Sequence, residues 1–430
     1  MYLLQDILYF RRHRYLLFCN EQQKQCTTNY HKRKQSQPSL ASSQFHPMIE
    51  DISSHENLMK KLRIALLFGG KSPEHEVSIA SAKTIFEKLD RSKYDVLPIP
   101  LTRDNQCVVP MSTTGTPLFS LKETEEVGQA VLNTGKIKDQ YILQAVSPAV
   151  LDKEHIDLII PIIHGSFGED GKLQGMLDML GIPYIGADVL GSAIGMDKEV
   201  QKILVHSQGI QIAPLLSFSR HEWATTSGEI LGAIGESLTL PYFVKPANAG
   251  SSIGITKVKT IEELAAAIDF ALQFDTKCLV EQALDNVREI ESAVIGHSEI
   301  QVASAFSEII PDREFYDYDA KYHADSTSQV IIPATLTSEE QAALTSAAET
   351  VFRVVQCSGF ARIDFFLGKD NTVYFNEINT LPGFTPISAF SKMWGASGVE
   401  YSDLLDKLIG MAMERAEERK NIQFAMQSAK

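Results

Sequence analysis

From residue 63 onward apolar residues fall into short runs separated by turn residues, and the period of each run predicts its element. Residues 63–68 read as a first buried strand, followed by the turn Gly69-Gly70-Lys71-Ser72-Pro73 and a helical pattern over 78–89. Residues 94–101 predict a second strand. Residues 156–163 are apolar on both faces, as a central parallel strand is. The opening stretch therefore reads as α/β, with the irregular, Thr-, Gly- and Ser-containing segment 103–148 expected as a surface insertion.

Further along, residues 173–180 and 196–208 predict helices and 183–185 a short strand. Residues 242–245 form a strand broken by Pro246, with the loop Ala247-Asn248-Ala249-Gly250-Ser251-Ser252-Ile253-Gly254 behind it and a new strand starting at Val258. The segment 260–274 opens on Thr260 with Glu262 and Glu263 in its first turn and has helical periodicity, so a capped helix is expected, then a strand at 278–282. Strands at 291–295, 300–306, 363–367 and 373–378 predict a mostly antiparallel final third, backed by helices at 338–356 and 401–419. There is no internal repeat.

The last two strands carry the most telling chemistry. Gly368, Lys369, Asp370 and Asn371 between them supply turn residues, so the pair reads as a hairpin. Side chains alternate at period 2, which puts Arg362 and Asp364 on one face of the first strand and Glu377 and Asn379 on one face of the second. Two carboxylates and an amide carbonyl are hard oxygen ligands of the kind Mg²⁺ takes beside phosphate oxygens, and a neighbouring arginine suits charge on a transferring group. Taken alone, such a hairpin is more often an ordinary solvated polar face.

Length and composition narrow the setting. At 430 residues the chain is too long for one ordinary core, so two or three domains are expected. A formal net charge of −14 argues against nucleic acid or an anionic membrane as a general partner. The five cysteines are odd in number and scattered, with no metal-binding or redox pairing, which fits a reducing compartment. Residues 1–58 differ in composition, with Gln, Asn, Ser, His and basic clusters, and their apolar stretches are too short to span a bilayer. They read as a disordered or targeting extension or as a mis-assigned start, with Met59 the natural amino terminus.

Four further features point to bound anions and a covered site. The loop after Lys245 offers closely spaced backbone N–H groups, hydroxyls and glycines that let the backbone approach a phosphate, although a plain turn is the commoner use of such a loop. It lacks the Walker A order, and Gly69-Gly70 lacks the third glycine of a dinucleotide fingerprint. Lys198 and Lys245 are candidate phosphate contacts, each weak by itself. The stretch Phe315-Tyr316-Asp317-Tyr318-Asp319-Ala320-Lys321-Tyr322, flanked by Pro311 and Pro333, reads as a lid over an intermediate that water would destroy, or as a tyrosine-rich surface loop. Glu74 follows the first strand where open α/β sheets present ligand contacts, and it suits an ammonium group or, equally, the first turn of a helix.

In chain order, Glu74-His75-Glu76-Val77-Ser78, His164-Gly165-Ser166-Phe167-Gly168-Glu169-Asp170-Gly171, Met196-Asp197-Lys198, Val244-Lys245-Pro246 with Gly250-Ser251-Ser252, the tyrosine lid, Arg362-Ile363-Asp364 and Asn376-Glu377-Ile378-Asn379-Thr380-Leu381-Pro382-Gly383 resemble the D-alanine:D-alanine ligases. The resemblance spans residues 63 to about 413. It implies an ATP-grasp fold that is α/β and α+β: an amino-terminal Rossmann-like α/β domain over 59–186, a central lobe over 187–280, and a carboxy-terminal lobe over 281–425 with a lid at 311–335. Residues 1–58 lie outside the family pattern.

The resemblance also implies the reaction, in which ATP phosphorylates the carboxylate of one D-alanine and the amine of a second attacks the acyl phosphate. By the same likeness Asp364, Glu377 and Asn379 hold two Mg²⁺ or Mn²⁺ ions, and Lys198, Lys245, Ser252 and Lys321 contact phosphate. Glu281 and Glu289 hold adenine and ribose, with Glu291 an alternative to Glu289. Arg362 and the N–H of Gly383 face the oxyanion. Glu74, linked with Ser251 and Tyr322, binds the first ammonium, His164 lies near its carboxylate, and Ser388 receives the second carboxylate. A cytoplasmic homodimer without nucleic-acid or membrane partners completes the expectation, with the dipeptide serving peptidoglycan precursor synthesis.

Overall fold

In the computed structural model the chain is described over residues 61–104, 106–109, 128–133, 142–145, 156–310 and 329–422. The expectations for residues 1–58 and for the tyrosine stretch, Lys321 and Tyr322 included, lie outside the described residues. All described residues belong to one contact unit, Lys61–Lys430.

The first sheet is built from β1 (Leu62–Gly69), β2 (Tyr94–Leu101), β3 (Gln106–Val109), β4 (Ile142–Ala145) and β5 (Leu158–Ile162), with α1 (His75–Lys88) following β1. Its order is β4-β3-β2-β1-β5; β1 is parallel to both β2 and β5, and β3 and β4 add on antiparallel. The segment expected as a plain insertion thus contributes two strands to the sheet edge. At four residues each they are too short for a periodicity reading to find. Every residue of β5 is buried, as its two-faced apolarity predicts. The strand expected at 183–185 is a single bridge from Tyr184 to Ile159.

Next come α2 (Lys172–Leu180), α3 (Val189–Met196), α4 (Lys198–Ser207), β6 (Gln211–Ile212), β7 (Leu215–Ser219), α5 (Arg220–Ser237), β8 (Tyr242–Pro246), β9 (Thr256–Val258), α6 (Ile261–Ala271) and β10 (Lys277–Gln282). One helix was expected over 196–208; the structure has two, parted at Asp197, whose carboxylate caps α4 by accepting the N–H groups of Glu199 and Val200. Strand β9 ends at Val258 rather than starting there. Strands β7, β10, β8 and β9 form a wholly antiparallel second sheet in that order, with α5 and α6 packed on it.

The third sheet contains β11 (Arg288–Gly296), β12 (Ile300–Val302), β13 (Ser307–Ile310), β14 (Gln329–Ile331), β15 (Gly359–Leu367) and β16 (Val373–Asn379), with α7 (Ser338–Val354) between β14 and β15 and with α8 (Ala389–Ala396) and α9 (Tyr401–Lys420) after β16. It is antiparallel except where β6 joins β16 in parallel, so the expected hairpin and antiparallel final third are present. The strand expected over 300–306 ends at Val302 as β12, and β13 begins only after it. Helix α7 backs this sheet through Leu344, Ala348, Val351 and Phe352.

Helix α9 backs the third sheet as expected, through Ala293, Ile295 and Phe360, and also reaches the first. Its Leu404, Leu405, Leu408 and Ile409 share a core with Ile64, Leu66 and Phe68 of β1 and with Phe360, Phe384 and Phe390. Arg415 of α9 donates to the carbonyl oxygens of Gly186 (2.7 Å) and Tyr184 (2.6 Å), which fastens the helix to the exit of the first sheet's segment. The Gly359 and Gly186 backbones meet so closely that a Cβ on Gly359 would lie 2.7 Å from the Gly186 Cα. Glycine there is a packing requirement.

Candidate functional site

Strand β1 is parallel to β2 on one side and β5 on the other, so the loops after β1 and β5 leave from a point where the chain changes direction across the sheet. Open α/β sheets bind ligands at such points. Ser78 joins the two strand ends: it accepts the N–H of Gly69 at 2.7 Å and donates to the carbonyl of Ile162. Glu74 stands at the cap of α1, and its Oε2 lies 3.7 Å from where a Cβ on Gly165 would be and 3.8 Å from one on Gly250. Two loops therefore approach one carboxylate, at Gly165 and at Gly250.

His164 is buried. Its Nδ1 lies 3.0 Å from the carbonyl oxygen of Leu381 and its Nε2 3.3 Å from Ser81 Oγ, and burial pushes its pKa down although Glu74 pulls it up. A neutral ring donating from Nδ1 fits both contacts. Ser81 Oγ also accepts the N–H of Phe384, so α1 and the turn after β5 hold the 381–384 segment at two points. Within that segment, a Cβ on Gly383 would lie 2.8 Å from Ser388 Oγ, and Ser388 Oγ in turn accepts the N–H of Thr385. The residues expected to hold an oxyanion and a carboxylate are thus side by side.

The hairpin meets the expectation in detail. Arg362 pairs opposite Asn379 and Asp364 opposite Glu377, which brings all four to one face. Beyond this point the register shifts, leaving Asn376 unpaired as a bulge residue. Arg362 grips Asp364 with two bonds, Nε to Oδ1 at 2.8 Å and Nη2 to Oδ2 at 2.7 Å, and its Nε lies 3.1 Å from Glu291 Oε1. The Asp364 carboxyl is pushed up to about 6 by burial, opposed by Arg362 and reinforced by Glu291 and Glu377. Asn379 Oδ1 accepts the N–H of Leu381 at 3.0 Å. Hard oxygens set in an excess of negative charge fit a divalent cation.

The lysines converge from α4 and β8. Lys198 Nζ donates to the carbonyl of Ala249 at 2.6 Å and lies 3.3 Å from Glu377 Oε2. Lys245 pairs with Glu281, and the two are buried together. The loop beyond Lys245 turns through positive φ at Ser251 (51°) and Ser252 (58°), and Asn248 anchors its start by donating to Asp275. Glu289 lies two residues before Glu291 on β11, and alternation places the two on one face.

Two buried charged residues at this site escaped the sequence reading. Lys202, 1% exposed, stands one turn after Lys198 on α4; its Nζ lies 3.1 Å from Glu281 Oε1 and donates to the bulge carbonyl of Asn376 at 2.6 Å. The i, i+4 spacing of the two lysines on one inward face was the available signal. Between Lys202 and Lys245, Glu281 is held at about 2 despite its burial. Glu169, inside the glycine-dense turn, accepts the N–H of Gly165 at 2.7 Å through Oε1, while its buried Oε2 has no hydrogen-bond partner among the described residues. Burial, with Glu74 next in effect, pushes its carboxyl up to about 8.

Known proteins match this arrangement along nearly its whole length. Residues 63–187 match the D-ala D-ala ligase N-terminus model and residues 204–410 the D-ala D-ala ligase C-terminus model. The D-alanine–D-alanine ligase of Geobacillus thermodenitrificans is 42% identical over 367 residues, 85% of this chain and 100% of that protein. That of Caldicellulosiruptor bescii is 43% identical over 387 residues, 85% of this chain and 99% of that protein. Among solved structures, the VanG D-Ala:D-Ser ligase of Enterococcus faecalis superposes with a TM-score of 0.68 at 33% identity, covering 82% of this chain and 100% of its own. The D-alanine–D-alanine ligase of Coxiella burnetii gives 0.66 at 30% identity, over 84% and 96%.

Proposed function

The chain belongs to the D-alanine–D-alanine ligase family, and from that premise we propose that it joins two D-alanine molecules with ATP, releasing ADP and phosphate, to supply peptidoglycan precursors. The observation that carries this reading is the registered face of Arg362, Asp364, Glu377 and Asn379, reached by Lys198 from the side of the glycine loop. A carboxylate is a poor acyl donor because oxide leaves badly. Transfer of the ATP γ-phosphoryl group to one carboxylate oxygen makes an acyl phosphate; a second amine then attacks the carbonyl carbon, phosphate departs with the C–O electron pair, and the amine gives up a proton.

In this reading Asp364, Glu377 and Asn379 hold two Mg²⁺ or Mn²⁺ ions, which supply charge neutralisation at the transferring phosphoryl group. Lys198, Lys245 and Ser252, with Lys321, contact the phosphates, while Glu281 and Glu289 take the adenine and ribose. Glu74 receives the ammonium of the first D-alanine, ordered by Ser251 and Tyr322, with His164 near its carboxylate. Arg362 and the Gly383 N–H steady the tetrahedral oxyanion, and Ser388 takes the second carboxylate. The same reading divides the chain into lobes at 59–186, 187–280 and 281–425 with a lid at 311–335; the first two sheets correspond to the first two lobes, while β6 joins the third sheet. A cytoplasmic homodimer belongs to the same proposal. Among the described residues no helix is long and apolar enough to cross a membrane.

The test is ADP release with ATP, Mg²⁺ and D-alanine against L-alanine and no-substrate controls, with the product identified by mass. D-Alanine-dependent ADP with D-alanyl-D-alanine is expected. ATP binding without such turnover would overturn the reading. D-Serine and D-lactate belong in the assay as competing second substrates, since one structural relative is a D-Ala:D-Ser ligase; D-alanine is expected to win over both.

A further inference from the structure

Four strands of the third sheet place Ser307, Glu291, Asp364 and Glu377 directly opposite one another, strand by strand. Residues paired in this way project to the same face, so the four form one row across β13, β11, β15 and β16. Arg362 belongs to the neighbouring row, with Ala293 and Asn379. Its guanidinium leans back over the first row, bonded to both oxygens of Asp364 and 3.1 Å from Glu291 Oε1. The other oxygen of Glu291 accepts the hydroxyl of Ser307 at 2.8 Å, and Glu291 is only 6% exposed. Glu291 is therefore fixed on the side of β15 away from Glu377.

This geometry sets a conflict within the proposed function. Asp364 is asked to face a divalent ion and Arg362 an oxyanion, yet here the guanidinium occupies both carboxylate oxygens of Asp364. A dication beside Asp364 repels the guanidinium and competes for those oxygens, so Arg362 needs a second anion to keep its place. We propose that Glu291 is the positioning residue for Arg362, holding the guanidinium when Asp364 turns its oxygens to the metal, with Ser307 holding Glu291 in turn. A planar guanidinium with five donors can bridge two carboxylates in this manner, which a lysine ammonium does less well. The inference rests on the ligase reading above.

The test is a double-mutant cycle of Glu291→Gln and Arg362→Lys. Glutamine keeps an acceptor for Ser307 and removes the charge. The expected result is a fall in kcat of about tenfold or more for Glu291→Gln with KM for ATP and D-alanine within about twofold, and a double variant no slower than Arg362→Lys alone. Mn²⁺ stoichiometry, read by electron paramagnetic resonance in the presence of nucleotide, should be unchanged. Ser307→Ala, which loosens Glu291 without altering charge, should lower kcat in the same direction by less, with the thermal midpoint checking that each variant folds. Additive effects, an unchanged kcat, or loss of one Mn²⁺ equivalent would each overturn the proposal, the last by making Glu291 a ligand. A wild-type chain with no D-alanine-dependent turnover would overturn the ligase reading itself.

Discussion

His164 Nδ1 meets the carbonyl oxygen of Leu381 at 3.0 Å across 217 positions of chain, so a histidine after β5 holds the loop that follows β16. The ring is buried and its pKa lies below the ordinary 6.5. As pH falls through 6.5 the unfolded chain takes a proton that the folded one refuses, and stability is lost. The urea midpoint of the wild type should therefore fall more steeply between pH 7.5 and pH 5 than that of His164→Gln. The substitution should also raise KM for D-alanine more than KM for ATP.

Glu169 works in the opposite sense. Its folded-state pKa of about 8 stands above the ordinary 4.5, and the charged groups that set it besides burial are Glu74, Lys198 and Asp170. Between those two values the folded chain keeps a proton that the unfolded chain has released, so stability declines as pH rises. Glu169→Gln retains an acceptor for the Gly165 N–H and has nothing to ionise. Its stability advantage over the wild type should grow by on the order of 1 kcal/mol per pH unit from pH 5 to pH 8, read from denaturation midpoints.

Lys202 and Lys245 share one buried carboxylate. Removing Lys202 by Lys202→Met leaves Glu281 with a single partner and the Asn376 carbonyl without its donor. Loss of one member of a buried ionic set costs ~3–5 kcal/mol, so chemical denaturation should show a drop of that order. A loss below about 1 kcal/mol would mean that Lys245 and water compensate fully.

For Asp364→Asn and Glu377→Gln the balance is reversed. Arg362 still has Glu291, and Lys198 still has the Ala249 carbonyl, so the fold keeps its contacts. Turnover should fall by ~10²-fold or more, while the thermal midpoint moves by only a few degrees. Equal losses of folding and activity would mark these residues as structural.

Gly383→Ala puts a methyl 2.8 Å from Ser388 Oγ. The short serine side chain must turn away, so KM for D-alanine should rise while KM for ATP stays within about twofold, as steady-state kinetics with each substrate varied would show.

Much of this was legible beforehand where a local rule and a tertiary outcome coincide. Arg362, Asp364, Glu377 and Asn379 could be placed on one face because alternation survives up to the bulge, whereas the capping role of Asp197, which parts α3 from α4, was missed. Strands β3 and β4 and the depth of Lys202 and Glu281 were hidden because each depends on partners distant in sequence. A buried lysine looks like a surface one until the carboxylate and carbonyl that hold it are located. Likewise, nothing local to Glu169 announces that Glu74 and Gly250 approach it from two other segments.

The shared core of β1 and α9 also has a consequence for how the protein is made. Ile64, Leu66 and Phe68 emerge early from the ribosome, but Leu404, Leu405 and Leu408, which cover them, are among the last residues of the described chain to be synthesised. Until then Ile79, Ala82 and Ile85 of α1 cover that side of the first sheet only in part, and packing over so long a stretch of chain is slow. Completion of the first-made sheet therefore waits for α9, and a chain that lacks this helix leaves apolar surface for a chaperone to cover.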